Sequence, residues 1–123
     1  MEICKKILIV DDSKFMRAII KDIAQGIGCE VDEANGVKSC LQQLEKERYN
    51  LVTMDITMNG MNGIDGVKEI KRRYPGQKVM MVSAMGQKPM VEESVRNGAD
   101  DFIVKPFTRS KVADAIKKQM PDE

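Results

Sequence analysis

Five short strand-like runs alternate with five stretches of helical periodicity, and that alternation constrains the fold more than any other feature of the chain. The runs are Lys6–Val10, Glu30–Ala34, Leu51–Asp55, Val79–Ser83 and Asp101–Val104, the second more polar than the rest. Each is short, bounded by turn formers and carries β-branched residues, as buried strands do. Between them, apolar residues recur three and four apart. Phe15, Ile19, Ile20, Ile23 and Ile27 give the first helix its buried face, and Val37, Cys40, Leu41 and Leu44 the second. Ile64, Val67 and Ile70 serve the third, Val91 and Val95 the fourth, and Val112, Ile116 and Met120 the last. Gly26 and Gly28 close the first helix, and Pro89 suits the first turn of the fourth. Four Asn-Gly pairs fall between strand and helix or at a helix end, so they read as caps and turns, not hairpins. Strands separated by helices pair in parallel through right-handed crossovers, and strands this apolar need cover on both faces. The expectation is one α/β domain over residues 1–123, a single doubly wound parallel sheet of five strands with five helices.

Composition removes whole classes of function. The 20 basic and 19 acidic residues nearly cancel, so no charge excess points to nucleic acid. No apolar run approaches the length of a membrane span and no signal peptide opens the chain, which suggests a cytoplasmic protein. Cys4, Cys29 and Cys40 lack metal-ligand spacing and read as unpaired thiols in a reducing compartment. There is no histidine, which excludes Ser-His-Asp and Cys-His catalysis and removes the usual zinc ligands. Chemistry must come from carboxylates, hydroxyls, lysine, the backbone and a hard metal ion.

In an open parallel sheet, functional groups collect at the carboxyl ends of the strands. The first strand delivers Asp11 and Asp12 there, the third Asp55, the fourth Ser83 and the fifth Lys105. Each has a plain structural reading. An Asp beside a helix start is commonly a cap, a strand-end Ser satisfies backbone, and most lysines are solvated. Their coincidence at four strand ends favours a shared site. Three carboxylates held together repel one another until a cation joins them, and hard oxygen ligands suit Mg²⁺ completed by a phosphate. Asp55 can then act as the nucleophile and accept a phosphoryl group. Lys105, the Ser83 hydroxyl and the Ala84 amide, with Mg²⁺, would neutralise the phosphoryl oxygens.

These residues, with Met58, Asn62-Gly63 and Lys105-Pro106-Phe107, resemble the receiver domain of bacterial two-component response regulators over essentially the whole chain. Asp-Ile-Thr-Met, Asn-Gly-Ile-Asp and Ser-Ala-Met-Gly-Gln are similar to its chemotaxis branch. The resemblance implies a flavodoxin-like sheet of order 2-1-3-4-5 and phosphorylation of Asp55 by a histidine kinase. It implies Mg²⁺ on Asp12, Asp55 and the Thr57 carbonyl, with Asp11 acting through water. Ser83 and Phe102 would form a switch pair that remodels the face of the fourth helix, fifth strand and fifth helix. The Lys105-Pro106 bond would be cis. Partners would be the kinase, a phosphatase and an output protein such as the flagellar motor switch, with the chain a monomer. Because the sequence stops after the fifth helix, a stand-alone switch is expected.

Several positions depart from the family pattern. Asn59 replaces the usual Pro, Phe102 stands where many chemotaxis regulators have Tyr, and the Ala34-Asn35-Gly36 turn looks one residue short. Thr57 and Met85 occupy the positions that tune attack of water in the family, and neither is a strong base, so self-dephosphorylation should be slow and depend on a phosphatase. Of ten methionines, Met85 and Met90 are candidates for an adaptable partner surface, while Met54 and Met80 read as core. A phosphorelay intermediate is the near alternative to a chemotaxis switch. An Asp-nucleophile phosphatase would need a second acid where Thr57 stands, and a flavin-binding protein would need a hydroxyl-rich phosphate loop where Asp11-Asp12 would repel phosphate.

Overall fold

Hydrophobic burial on two faces of one sheet decides the architecture. The computed structural model describes residues 5–58 and 60–121. The strands are β1 (Lys6–Val10), β2 (Glu30–Ala34), β3 (Leu51–Met54), β4 (Val79–Ser83) and β5 (Asp101–Val104). The helices are α1 (Lys14–Gly26), α2 (Val37–Lys46), α3 (Gly63–Arg73), α4 (Lys88–Arg96) and α5 (Arg109–Gln119). All strand pairs are parallel, in the order β2-β1-β3-β4-β5, as the family resemblance implies. Alternating residues of β1, β3 and β4 feed two cores. Leu8, Val10, Val52, Met54 and Met81 pack with Val37, Val67 and Ile70 on the α2 and α3 side. Ile7, Ile9, Leu51, Met80 and Val82 pack with Ile20, Ile23 and Ile116 on the α1 and α5 side. A fully buried Ile or Leu contributes about 1.5–3 kcal/mol, so these layers supply most of the driving force.

Helix ends follow local chemistry. The Ser13 hydroxyl accepts from Met16 N and caps α1, Asn62 Oδ1 accepts from Asp65 N and caps α3, and the Thr108 hydroxyl accepts from Lys111 N and caps α5. The cap of α1 is therefore Ser13 and not either neighbouring aspartate. The Lys105–Pro106 peptide is cis. Cys29 and Cys40 are free thiols; Cys4 and Asn59 lie outside the described residues.

Three expectations from the sequence need correction. β3 ends at Met54, one residue early; the Asp55 amide still donates to Val10 O at 3.2 Å, but from there the chain turns into the loop. Phe15 is 75% exposed. It lies five residues before Ile20, about 140° around the helix from it, and so points to solvent and not to the core. Val95 is also exposed, and α4 instead buries Ser94, whose hydroxyl donates to Met90 O at 2.8 Å. That back-bond satisfies the hydroxyl and lets a polar residue face the core.

Candidate phosphoryl-acceptor site

Neighbouring strands β1 and β3 end level with each other, Val10 opposite Met54, so the residues that follow them, Asp11 and Asp55, project from adjacent positions on the sheet's rim. Both are buried, whereas Asp12 is exposed. One carboxylate oxygen from each of Asp11, Asp12 and Asp55 lies within 4.8 Å of the other two. Lys105 reaches across from the end of β5, its Nζ donating to Asp11 Oδ2 at 2.9 Å and to Asp55 Oδ2 at 3.0 Å. Burial of the ammonium lowers the Lys105 pKa, but hydrogen bonds and charge from Asp11 and Asp55 outweigh that, and the net shift is upward. One ammonium against three carboxylates leaves a net-negative cluster of hard oxygens. That donor set fits a divalent ion such as Mg²⁺, with Asp11, Asp12 and Asp55 the residues to hold it.

The other expected residues divide. Thr57 closes on Asp55, its amide donating to Asp55 Oδ1 at 3.4 Å, and its hydroxyl meets Met85 Sδ at 3.0 Å. Ser83 is fully buried at the end of β4, and its Oγ accepts from Met85 N at 3.1 Å, so the hydroxyl is engaged by its own loop and not by the acidic cluster. Ala84 is exposed beside it. Phe102 is half-buried on edge strand β5, opposite Met81, with its ring against the α2–α3 side core. Met85 and Met90 are half-buried and, with Thr57, Met58 and Glu93, line a hollow of about 300 Å³ beside the site. Met54 and Met80 are fully buried core, as expected. A larger hollow, of about 770 Å³, opens at the opposite end of the sheet between Tyr49 and Tyr74 and contains none of the expected residues.

Two contributors escaped the sequence reading. Arg17 Nη1 donates to the Asp11 carbonyl at 2.6 Å and pins the end of β1. Nothing local in the sequence signals that bond. Gly63 donates its amide to Ile56 O at 2.8 Å, and a Cβ there would stand 1.8 Å from the Asp55 carbonyl oxygen. The loop after Asp55 can fold back on itself only because no side chain intervenes. The Asn62-Gly63 pair marks a turn in the sequence, but not this close approach.

Comparison with known proteins agrees with this geometry. Residues 7–117 match the response regulator receiver domain family. The chain is 48% identical over 115 residues to the chemotaxis protein CheY of Thermotoga maritima, covering 93% of this chain and 96% of that one. It is 47% identical over 116 residues to CheY of Bacillus subtilis, covering 94% and 97%. Among solved structures, the CheX-CheY-BeF3-Mg²⁺ complex of Borrelia burgdorferi superposes with a TM-score of 0.91 at 30% identity, over 96% of this chain and 90% of that one.

Proposed function

This chain belongs to the response regulator receiver domain family, and we propose that Asp55 is the carboxylate through which it receives its signal. It is a two-component response regulator of the chemotaxis kind, and receiver domains act as signalling switches. The observation that carries the assignment of Asp55 is its position, buried, 3.0 Å from Lys105 and clustered with Asp11 and Asp12. An Asp55 carboxylate oxygen attacks the phosphorus of a phosphohistidine on a partner kinase. A P–O bond forms, the P–N bond breaks, and the imidazole leaves with a proton from solvent.

The chain's own residues prepare that step. Lys105 holds Asp55 in place before transfer and can follow the new negative charge onto a phosphoryl oxygen afterwards. Ser83 and the Ala84 amide supply a second contact once the Ser83 hydroxyl leaves Met85 N. Asp11 already uses one oxygen on Ser13 N at 2.9 Å and the other on Lys105, which supports a role through water, leaving Asp12, Asp55 and the Thr57 carbonyl as direct ligands. Mg²⁺, when held by these residues, would supply positive charge that offsets the negative charge of the carboxylates and the phosphoryl group. Movement of Ser83 frees space toward Phe102, and phosphorylation biases the two arrangements because it contacts them unequally. The output is binding of another protein, such as a flagellar motor switch component. The phosphoryl group then leaves slowly unless a phosphatase approaches over Thr57 and Met85. No helix among the described residues is long and apolar enough to cross a membrane. We place this action in the cytoplasm, on a single receiver domain that works as a monomer.

Incubation with Mg²⁺ and a small acyl phosphate, followed by intact-mass measurement, tests the assignment. One added phosphoryl group is expected, and none in Asp55→Asn. Labelling of the Asn variant at the wild-type level would overturn it.

A further inference from the structure

We propose that Thr53 is a positioning residue for the acceptor, its hydroxyl hydrogen-bonding the Asp55 side chain, directly or across one ordered water, when Lys105 is drawn to the phosphoryl group. The inference rests on Asp55 being the acceptor. Thr53 is 1% exposed, and its Oγ1 has no hydrogen-bond partner among the described residues. An unpaired buried hydroxyl costs free energy that an isosteric valine would not. Its setting says where a partner can come from. Thr53 pairs with Ile9 on β1 and Met80 on β4, and these two with Leu51 form an apolar floor and sides on the α1–α5 face. Side chains two apart along a strand share a face. Thr53 therefore lies one layer below Asp55, as Ile9 lies below Asp11 and Ile103 below Lys105. The polar groups of this face begin directly above the orphaned hydroxyl.

Lys105 supplies the reason for a second partner. Its ammonium bridges Asp11 and Asp55, and these are the only hydrogen bonds it makes among the described residues. Once a phosphoryl oxygen attracts that ammonium, Asp55 Oδ2 loses the hydrogen bond that Lys105 gives it. A neutral hydroxyl from below replaces it without adding charge to an already negative cluster.

Thr53→Val removes the hydroxyl at constant shape, and Thr53→Ser keeps it. With acetyl phosphate and Mg²⁺, the maximal phosphorylation rate of the Val variant should fall about tenfold, the worth of one hydrogen bond to a charged group. The half-saturating donor concentration should stay the same, the Ser variant should stay within about twofold of wild type, and the melting temperature of the Val variant should not drop. A wild-type rate in Thr53→Val overturns the inference, and so does equal slowing in Ser and Val, which would mean packing. If the Val variant does not fold, Thr53→Cys, which keeps size with only a weak donor, must show the same loss. Failure of the wild-type chain to gain mass would sink the Asp55 assignment instead, so the two failures are distinguishable.

Discussion

Replacing Lys105 with methionine removes one ammonium from between two buried carboxylates and keeps most of the side-chain volume. That ammonium stands 2.9 Å from Asp11 and 3.0 Å from Asp55, with the lysine side chain 15% exposed and the two carboxylates 2% and 10%. Two unit charges about 3 Å apart attract by roughly 5 kcal/mol at an effective dielectric constant of about 20, so the gross attraction is about twice that. Much of it repays dehydration of the ammonium, and removing one partner of a buried ion pair costs about 3–5 kcal/mol net. With a urea slope of about 2 kcal/mol per molar, Lys105→Met should unfold about 2 M earlier than wild type when a chelator is present. Mg²⁺ should narrow the gap, because a cation between the carboxylates substitutes for the missing charge. The pH dependence has a definite sign. The Lys105 pKa is raised on folding, so its contribution is fully present below the unfolded lysine value near 10.4 and is lost only as pH rises through the higher folded value. The deficit should therefore be flat across neutral pH. A midpoint equal to wild type in chelator at neutral pH would refute the reasoning.

Three further outcomes follow from the same geometry. Gly63→Ala places a methyl group 1.8 Å from the Asp55 carbonyl oxygen, so the loop must move; acyl-phosphate labelling should slow at least about tenfold, and a wild-type rate would show that the loop yields freely. Met85→Glu puts a carboxylate where a thioether now meets the Thr57 hydroxyl, and loss of phosphoryl from Asp55, followed by mass, should quicken several-fold; an unchanged decay rate would remove Met85 from that role. Burial pushes the Cys40 thiol up to about 12 and hides it completely, so peptide mapping after alkylation should find Cys29 modified and Cys40 intact until urea unfolds the chain.

The alternation of strand and helix, the parallel sheet and the gathering of Asp11, Asp12, Asp55 and Lys105 were legible in the sequence. Strand ends in such a sheet lie along one rim, so position along the chain nearly dictates position in space. What periodicity could not assign was side-chain direction at the margins. Phe15 and Val95 fit a helical stripe on paper yet face solvent, while Ser94 is buried because a bond to its own helix satisfies it. Those outcomes depend on how each helix is rolled against the sheet, which residues from distant strands determine. The same holds for Gly63 against the Asp55 backbone, Arg17 on the Asp11 carbonyl and the unpaired hydroxyl of Thr53. The sequence by itself determined which chemical groups reach the rim, because local pattern sets strands and their ends. Only the tertiary structure decided which groups share a proton, a charge or a wall, because those relations join residues that no local interaction connects.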